Sequence, residues 1–276
     1  MTMAGRRAVA ATGLALVVSL VGCRANPGRP SAEGASGSPR TAAEALEQAV
    51  RRLGSVTSYQ ASVAVSTVVG SKKKHLSGEV ASRTKDQAVQ YDVPSSTTDD
   101  PGSSAVLLGD RLYIKNFRLL EVIHKPWIGF SLSAVKPADT DVMAWVAQVR
   151  QPDPLLHARM FTASKDVHLV GRETTGGRPA TRYQGTFALS EALTKLGPAE
   201  RTEAQAVYEE FGTTPYFEVW IDDQHLIRKI GLVVRRGTKR RLNATMNYSI
   251  YDTPVTITPP APNEVKNLTT PAGMPV

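Results

Sequence analysis

One cysteine, Cys23, occurs in 276 residues, so no intramolecular disulfide can brace this chain. Histidine is scarce as well. The five, His75, His124, His157, His168 and His225, lie far apart and none stands at a metal-ligand spacing such as H-E-x-x-H. The sequence thus implies no metal and no cofactor. The nucleophile motif G-x-S-x-G is missing too: Gly129-Phe130-Ser131-Leu132-Ser133 lacks the second glycine and the strand-to-helix setting. Asp222-Asp223 with His225 reads as a hairpin turn before it reads as a charge relay, and no catalytic residue is assigned. No apolar run is long enough to span a bilayer comfortably, and the first 22 residues carry no acid.

What the N-terminus does have is order. Arg6 and Arg7 precede an apolar run from Ala8 to Val21, and the small residue Gly22 stands before Cys23. Charged, apolar and small-residue regions in that sequence make a secretory signal peptide, residues 1–22. Leu20-Val21-Gly22-Cys23 resembles the lipobox of bacterial lipoproteins, in which the cysteine is acylated and becomes the first residue of the mature chain. Lipidation is therefore assigned to Cys23. Two or three acyl chains anchor stably where one holds only marginally. The expected location is the cell membrane, tethered on the extracytoplasmic face. The arginine pair leaves the general and the twin-arginine export routes both open.

The formal charge of +8 includes Arg6 and Arg7, so the mature chain carries about +6. On the outside of a cell that charge favours anionic headgroups, worth about 1 kcal/mol per lysine or arginine near the surface, and nucleic acid is not an expected partner.

Residues 23–40 are rich in Gly, Pro, Ser and Ala and read as a flexible tether. Thr41-Ala42-Ala43-Glu44 matches a capping box, and Ala45, Leu46, Ala49, Val50 and Leu53 follow at helical spacing, predicting a helix over about 41–55. From Tyr59 to Val69 apolar and polar residues alternate, as in a half-buried strand. Gly70 to Lys74 reads as a hairpin tip, and strands follow near 76–80, 89–93, 106–108, 112–114 and 127–132. Pro126 argues that the last of these is an edge or a strand start. A helix is expected from about 139 to 149, with Pro152 and Pro154 stopping it.

Strands then recur near 167–173, 178–187, 216–221, 226–234 and 242–250. Between the second and third of these, a helix over about 190–211 is interrupted at Pro198. No helical crossover repeats between strands, which excludes a doubly wound parallel sheet. The expected fold class is α+β: a highly curved antiparallel sheet, an unclosed β-barrel of about ten to eleven strands, with helices covering its concave face. The folded domain spans 41–252, and 253–276 is a proline-rich tail.

Three blocks carry a family resemblance: Lys125-Pro126-Trp127 with the strand after it, Val170-Gly171-Arg172-Glu173 through Gly177 to Thr186, and Phe217 to Asp223 with Leu226-Ile227-Arg228. With the lipobox and the tether, these look like the actinobacterial lipoproteins grouped with LppX, LprA, LprF and LprG, whose fold is similar to the carriers LolA and LolB. The resemblance implies an apolar cavity enclosed between sheet and helices. It also implies binding, and transfer across the envelope, of acylated glycolipids and related lipids, with no catalysis.

Alternation places Val63, Val65, Tyr91, Ile114, Phe217, Val219, Ile230, Leu232, Met246 and Tyr248 on the inner face, though a slip of one residue inverts such an assignment. Met143, Val146, Val207 and Phe211 approach from the helical side. These residues are the candidate lining of a hydrophobic ligand site; the alternative is that they fill a closed core. Trp220 is out of phase with Phe217 and Val219 and belongs to the outer face. Lys72, Lys73 and Lys74, and Arg235, Arg236, Lys239, Arg240 and Arg241, sit at hairpin tips, where they either guard sheet edges or meet anionic headgroups. The leading function is a membrane-anchored lipoprotein that binds an acylated lipid or other hydrophobic envelope molecule. The alternative is an interaction or sensory accessory module without an internal ligand.

Overall fold

A computed structural model describes residues 41–94, 102–116, 123–135, 146–147 and 149–269, all within one compact unit, Ser38–Val276. The expected signal peptide, Cys23 and the expected tether lie outside the described residues, as do Met143 and most of the helix expected over 139–149. Of that helix, positions 146, 147, 149 and 150 are described and helical.

The chain enters through α1 (Ala42–Leu53), whose start is fixed by the expected capping box. The Thr41 hydroxyl accepts from the Glu44 amide at 3.1 Å, and the Glu44 carboxylate accepts from the Thr41 amide at 3.0 Å. Ala45, Leu46, Ala49 and Leu53 form its buried stripe. A meander of six strands follows: β1 (Ser58–Val69), β2 (Lys72–Arg83), β3 (Ala88–Val93), β4 (Ser103–Leu108), β5 (Arg111–Asn116) and β6 (Trp127–Ser131). After α2 (Pro154–Phe161), β7 (His168–Thr175) and β8 (Arg178–Thr186) form a hairpin. Two helices, α3 (Leu189–Leu193) and α4 (Pro198–Tyr208), then lead into β9 (Tyr216–Asp222), β10 (Ile227–Arg236) and β11 (Arg240–Tyr251). A last short strand, β12 (Val265–Asn267), closes the series.

The strands make one sheet in the order β12-β6-β5-β4-β3-β2-β1-β11-β10-β9-β8-β7. Each meander is internally antiparallel, and the two are joined by β1 on β11. The sheet is not closed by hydrogen bonds, because β7 and β12 are its two edges. It does curl. The α1 helix is about 18 Å long, yet it touches β7 and shares a cavity wall with Leu107 of β4. Along a flat sheet β4 and β7 would stand eight strand spacings, roughly 38 Å, apart.

Three expectations need correction. Among the described residues the sheet has twelve strands, not ten or eleven, and it is mixed, because β12 runs parallel to β6. Its strand lies in the region read as a proline-rich tail. Three residues pair there because Gly129 leaves room: a Cβ at that position would meet Tyr113 at 2.9 Å and Val265 at 3.1 Å. Pro154 does not stop a helix but opens α2, with Asp153 as N-cap accepting from the Leu155 amide at 2.8 Å. Proline at the first helical position loses no hydrogen bond and is preset in φ. The helix over 190–211 is interrupted as expected, into two helices, and Pro198 begins the second.

One hydrophobic cluster joins the helices to the concave face of the sheet. Phe161 of α2 stacks on Phe217 of β9, with centroids 4.1 Å apart and planes 5° from parallel. Trp220 packs on the other face, where the Lys229 ammonium and the Arg182 guanidinium lie 4.5 and 5.2 Å from its ring.

The β9–β10 turn holds a buried ion pair. The Asp222 carboxylate accepts from the Gln224 and Leu226 amides at 2.9 Å and from Arg228 Nε at 2.7 Å, with the two side chains 7 and 5% exposed. His225 takes a positive φ of 59° to complete the turn. Removing one partner of such a pair leaves an uncompensated buried charge. Asp222→Ala is therefore expected to lower the unfolding free energy by about 3–5 kcal/mol, read as a shifted midpoint in urea titration of residues 38–276.

Candidate ligand cavity

A cavity with a volume of about 560 Å³ lies at one end of the strands, not under their middle. Its wall on the sheet side comes from the start of β1, the end of β2 and the neighbouring parts of β3 and β4: Tyr59, Ser82, Val89 and Leu107. Leu53, Gly54 and Val56, where α1 turns into β1, supply a second wall. Ala147, Pro154, Leu155 and Leu156, with Ala199 and Ala204 of α4, cover it from the helical side. Apolar side chains therefore make up just over half of the lining.

Charged groups are gathered on the helical side, while Ser82, Thr84 and Gln87 add neutral polar groups on the sheet side. Arg150 and Glu203 pair at 2.6 Å, and Arg159 holds Glu200 at 3.2 Å. Burial raises the Glu203 carboxyl against the lowering effect of Arg150. Asp153 is raised too, chiefly by burial and further by nearby Glu200, while the amides it caps pull the other way. Behind this row His157 is fully buried and pushed down to about 4 by desolvation, so its ring is neutral. Its Nδ1–H donates to the Asp153 carbonyl at 3.0 Å, and its Nε2 lies 3.1 Å from the Tyr208 hydroxyl. That hydroxyl is also 2.8 Å from Gln151 Oε1. A largely apolar hollow with one charged flank suits a molecule with a hydrocarbon part and a polar part.

The residues predicted to line a cavity from strand alternation are placed elsewhere. Val63, Tyr91, Ile114, Val146, Phe211, Phe217, Val219, Ile230, Leu232, Met246 and Tyr248 are buried together in the main core, with Val65 and Val207 packed against it. None of them borders the 560 Å³ cavity. Alternation reports which face a strand residue occupies, but not whether the space above it is filled. The cavity instead uses strand ends and a helix start, and its one sequence signal was Asp153-Pro154, a capping residue followed by proline. The predicted basic tips lie at the other end of the same strands. Among the described residues no helix is long and apolar enough to cross a membrane.

His157 gives the cavity a pH signature. The ring stays neutral when folded and takes up a proton below about 6.5 when unfolded, so its stabilising share is complete above that pH and lost as pH falls toward 4. The loss amounts to about 3 kcal/mol at ~1.4 kcal/mol per unit. Asp153 and Glu203, raised in the folded state, act in the opposite sense and offset part of it. In urea titrations between pH 7 and 4.5, His157→Gln is expected to lose the acid destabilisation that the unmodified chain shows.

No protein-family model matches the chain. An uncharacterised 31.2 kDa protein from the rplA–rplJ intergenic region of Streptomyces griseus is 30% identical over 149 residues, a match covering 51% of this chain and 47% of that protein. The chain thus spans about half the length of the curated relative it matches. Among solved structures it is similar to the Mycobacterium tuberculosis lipoprotein LppX, with 18% identity, a TM-score of 0.47, and 79% of this chain and 98% of that one covered. It is also similar to LprF of Mycobacterium bovis, with 14% identity, a TM-score of 0.47, and 82% and 100% covered. A LolA superfamily protein of Nitrosomonas europaea is similar at 12% identity and a TM-score of 0.33, with 78% and 94% covered. LppX and LprF belong to the lipoprotein group that the three sequence blocks resemble.

Proposed function

We propose that this chain is an exported protein, anchored through acylated Cys23 on the extracytoplasmic face of the cell membrane, that takes up a hydrophobic envelope molecule, such as an acylated lipid. The observation that carries the reading is the cavity of about 560 Å³ between sheet and helices, within the range of about 300–1,000 Å³ typical of small-molecule sites. Leu53, Val56, Val89, Leu107 and Leu156 would face the hydrocarbon part. Arg150, with Glu203, Glu200 and Asp153, would face the polar part.

The mechanism is partition, with no bond made or broken. Exposing an acyl chain of about 16 carbons to water costs on the order of 12 kcal/mol at about 0.8 per methylene. A preformed apolar hollow removes most of that barrier, and the anchor keeps the carrier beside its source. One observation favours a docking module without internal ligand: Leu169 and Val170 are 60 and 44% exposed on β7, an edge strand. An exposed apolar edge is a template for an added strand.

Organic extraction of purified residues 38–276 followed by mass spectrometry separates the two readings. Co-purifying lipid is expected, together with saturable binding of a fluorescent fatty acid. Leu155→Trp, which places an indole in the hollow from a half-buried position, is expected to cut that binding at least several-fold without changing the circular dichroism. An unliganded protein that also ignores the probe would leave the docking reading.

A further inference from the structure

The basic residues that the sequence spreads over two hairpins form one surface in the fold. The registers run Lys72–Val69–Arg240–Arg236 in one cross-strand row and Lys73–Val68–Arg241–Arg235 in the next. The two hairpins are tied at their tips, where the Gly70 amide donates to the Lys239 carbonyl at 2.8 Å. Successive rows face opposite sides of a sheet, so cations project from both faces of the same ribbon end. At this end β2, β1, β11 and β10 run past their neighbours. Pairing of β2 with β3 begins only at Glu79, and pairing of β10 with β9 ends at Val233.

Edge protection accounts for part of this charge but not for all of it. Arg240 and Arg241 lie on β11, which is paired with β1 on one side and β10 on the other. No edge there needs guarding. The register also sets Arg235 directly opposite Arg241 and Arg236 opposite Arg240, and like charges so placed destabilise a sheet. Counter-charge is sparse. Arg240 pairs with Glu210, and the Arg236 guanidinium donates to the Glu209 carbonyl. Among the described residues Lys72, Lys73, Lys74, Arg235, Lys239 and Arg241 make no ion pair, and all six are exposed.

We propose that this ribbon end docks on an anionic bilayer, its lysines and arginines seated among the lipid phosphates. The shape of the patch selects that partner. Cations on both faces of a ribbon, gathered around two turn tips, meet a planar field of negative charge end-on, and such a field relieves the opposed arginines. An acidic protein would instead need the charge laid out along one face, and among the described residues the tip glycines Gly70 and Gly237 open onto free space, not onto a cradle for a single free anion. The stretch of β1 from Tyr59 at the cavity to Val69 at the patch is roughly 33 Å. Docking therefore leaves the cavity clear of the surface, and it does not depend on the cavity holding a ligand.

Co-sedimentation with vesicles tests this, using residues 38–276, which carry the whole core. Binding is expected to phosphatidylglycerol-rich vesicles at low ionic strength, weakening steeply toward about 0.5 M salt, with none to pure phosphatidylcholine. Lys72→Ser/Lys73→Ser/Lys74→Ser and, separately, Arg235→Ser/Arg241→Ser are each expected to lower the partition by about tenfold or more. The lysine variant changes only exposed tip residues, so its circular dichroism and melting should match the parent and keep the comparison interpretable. Equal binding to both vesicle types, or binding that both variants retain, would overturn the proposal. Capture by soluble polyglutamate without vesicle binding would also overturn it, and would assign the patch to an acidic protein.

Discussion

The pairing of β1 with β11 is the constraint on which the rest of this structure depends. Each meander builds its own antiparallel ladder from neighbours in sequence, and a meander alone leaves a long edge and an uncovered apolar face. The two become one sheet only along the register from Tyr59↔Tyr251 to Val69↔Arg240, with a single irregularity between Gln60 and Ala61. Its ends lie far apart in the chain, so the closure entropy is offset only once the whole seam forms. Asp252 secures one end of it, accepting from the Thr57 amide at 2.8 Å and pairing with Arg52 of α1 at 2.7 Å. That one carboxylate ties the first helix, the first strand and the last long strand together.

Core and cavity both follow from the seam. With the two meanders fused, the sheet curls around α1 and α2, and the inward side chains of both halves meet in one cluster. Under the middle of the strands Phe161 stacks on Phe217, and nearer the cavity Tyr248 packs edge-on to Tyr59 and donates to the Pro152 carbonyl at 3.0 Å. Space is left at the strand ends, where helix termini and turns arrive with backbone polar groups that must be satisfied. Asp153 and Tyr208 are therefore at the same place as the hollow. A polar flank on an apolar cavity is the geometric result.

The same long strands thus carry two different chemistries. At one end β1 and β2 meet helices and enclose an apolar volume; at the other they meet β11 and β10 and expose concentrated positive charge. Neither end belongs to a single hairpin. The separation between them is set by strand length, and it keeps a buried, desolvated region apart from a hydrated, cationic one.

Much of the local structure was legible in the residues. The capping box at Thr41 and Glu44, the alternation of β1, the turn at Asp222 and the outward phase of Trp220 each depend on neighbours within a few positions, and period and turn chemistry report such features directly. The start of α2 was misread because proline can end a helix or open one, and Asp153 decides which. The pairing of β12 with β6, the site of the unfilled volume and the union of two basic tips into one surface had no local signature. Sequence by itself determined the first eleven strands, their faces and the charge at their tips, because those are short-range consequences of side-chain size and polarity. Only the tertiary structure decided which strands became neighbours and where space remained, because seam register and packing are properties of segments that meet from opposite ends of the chain.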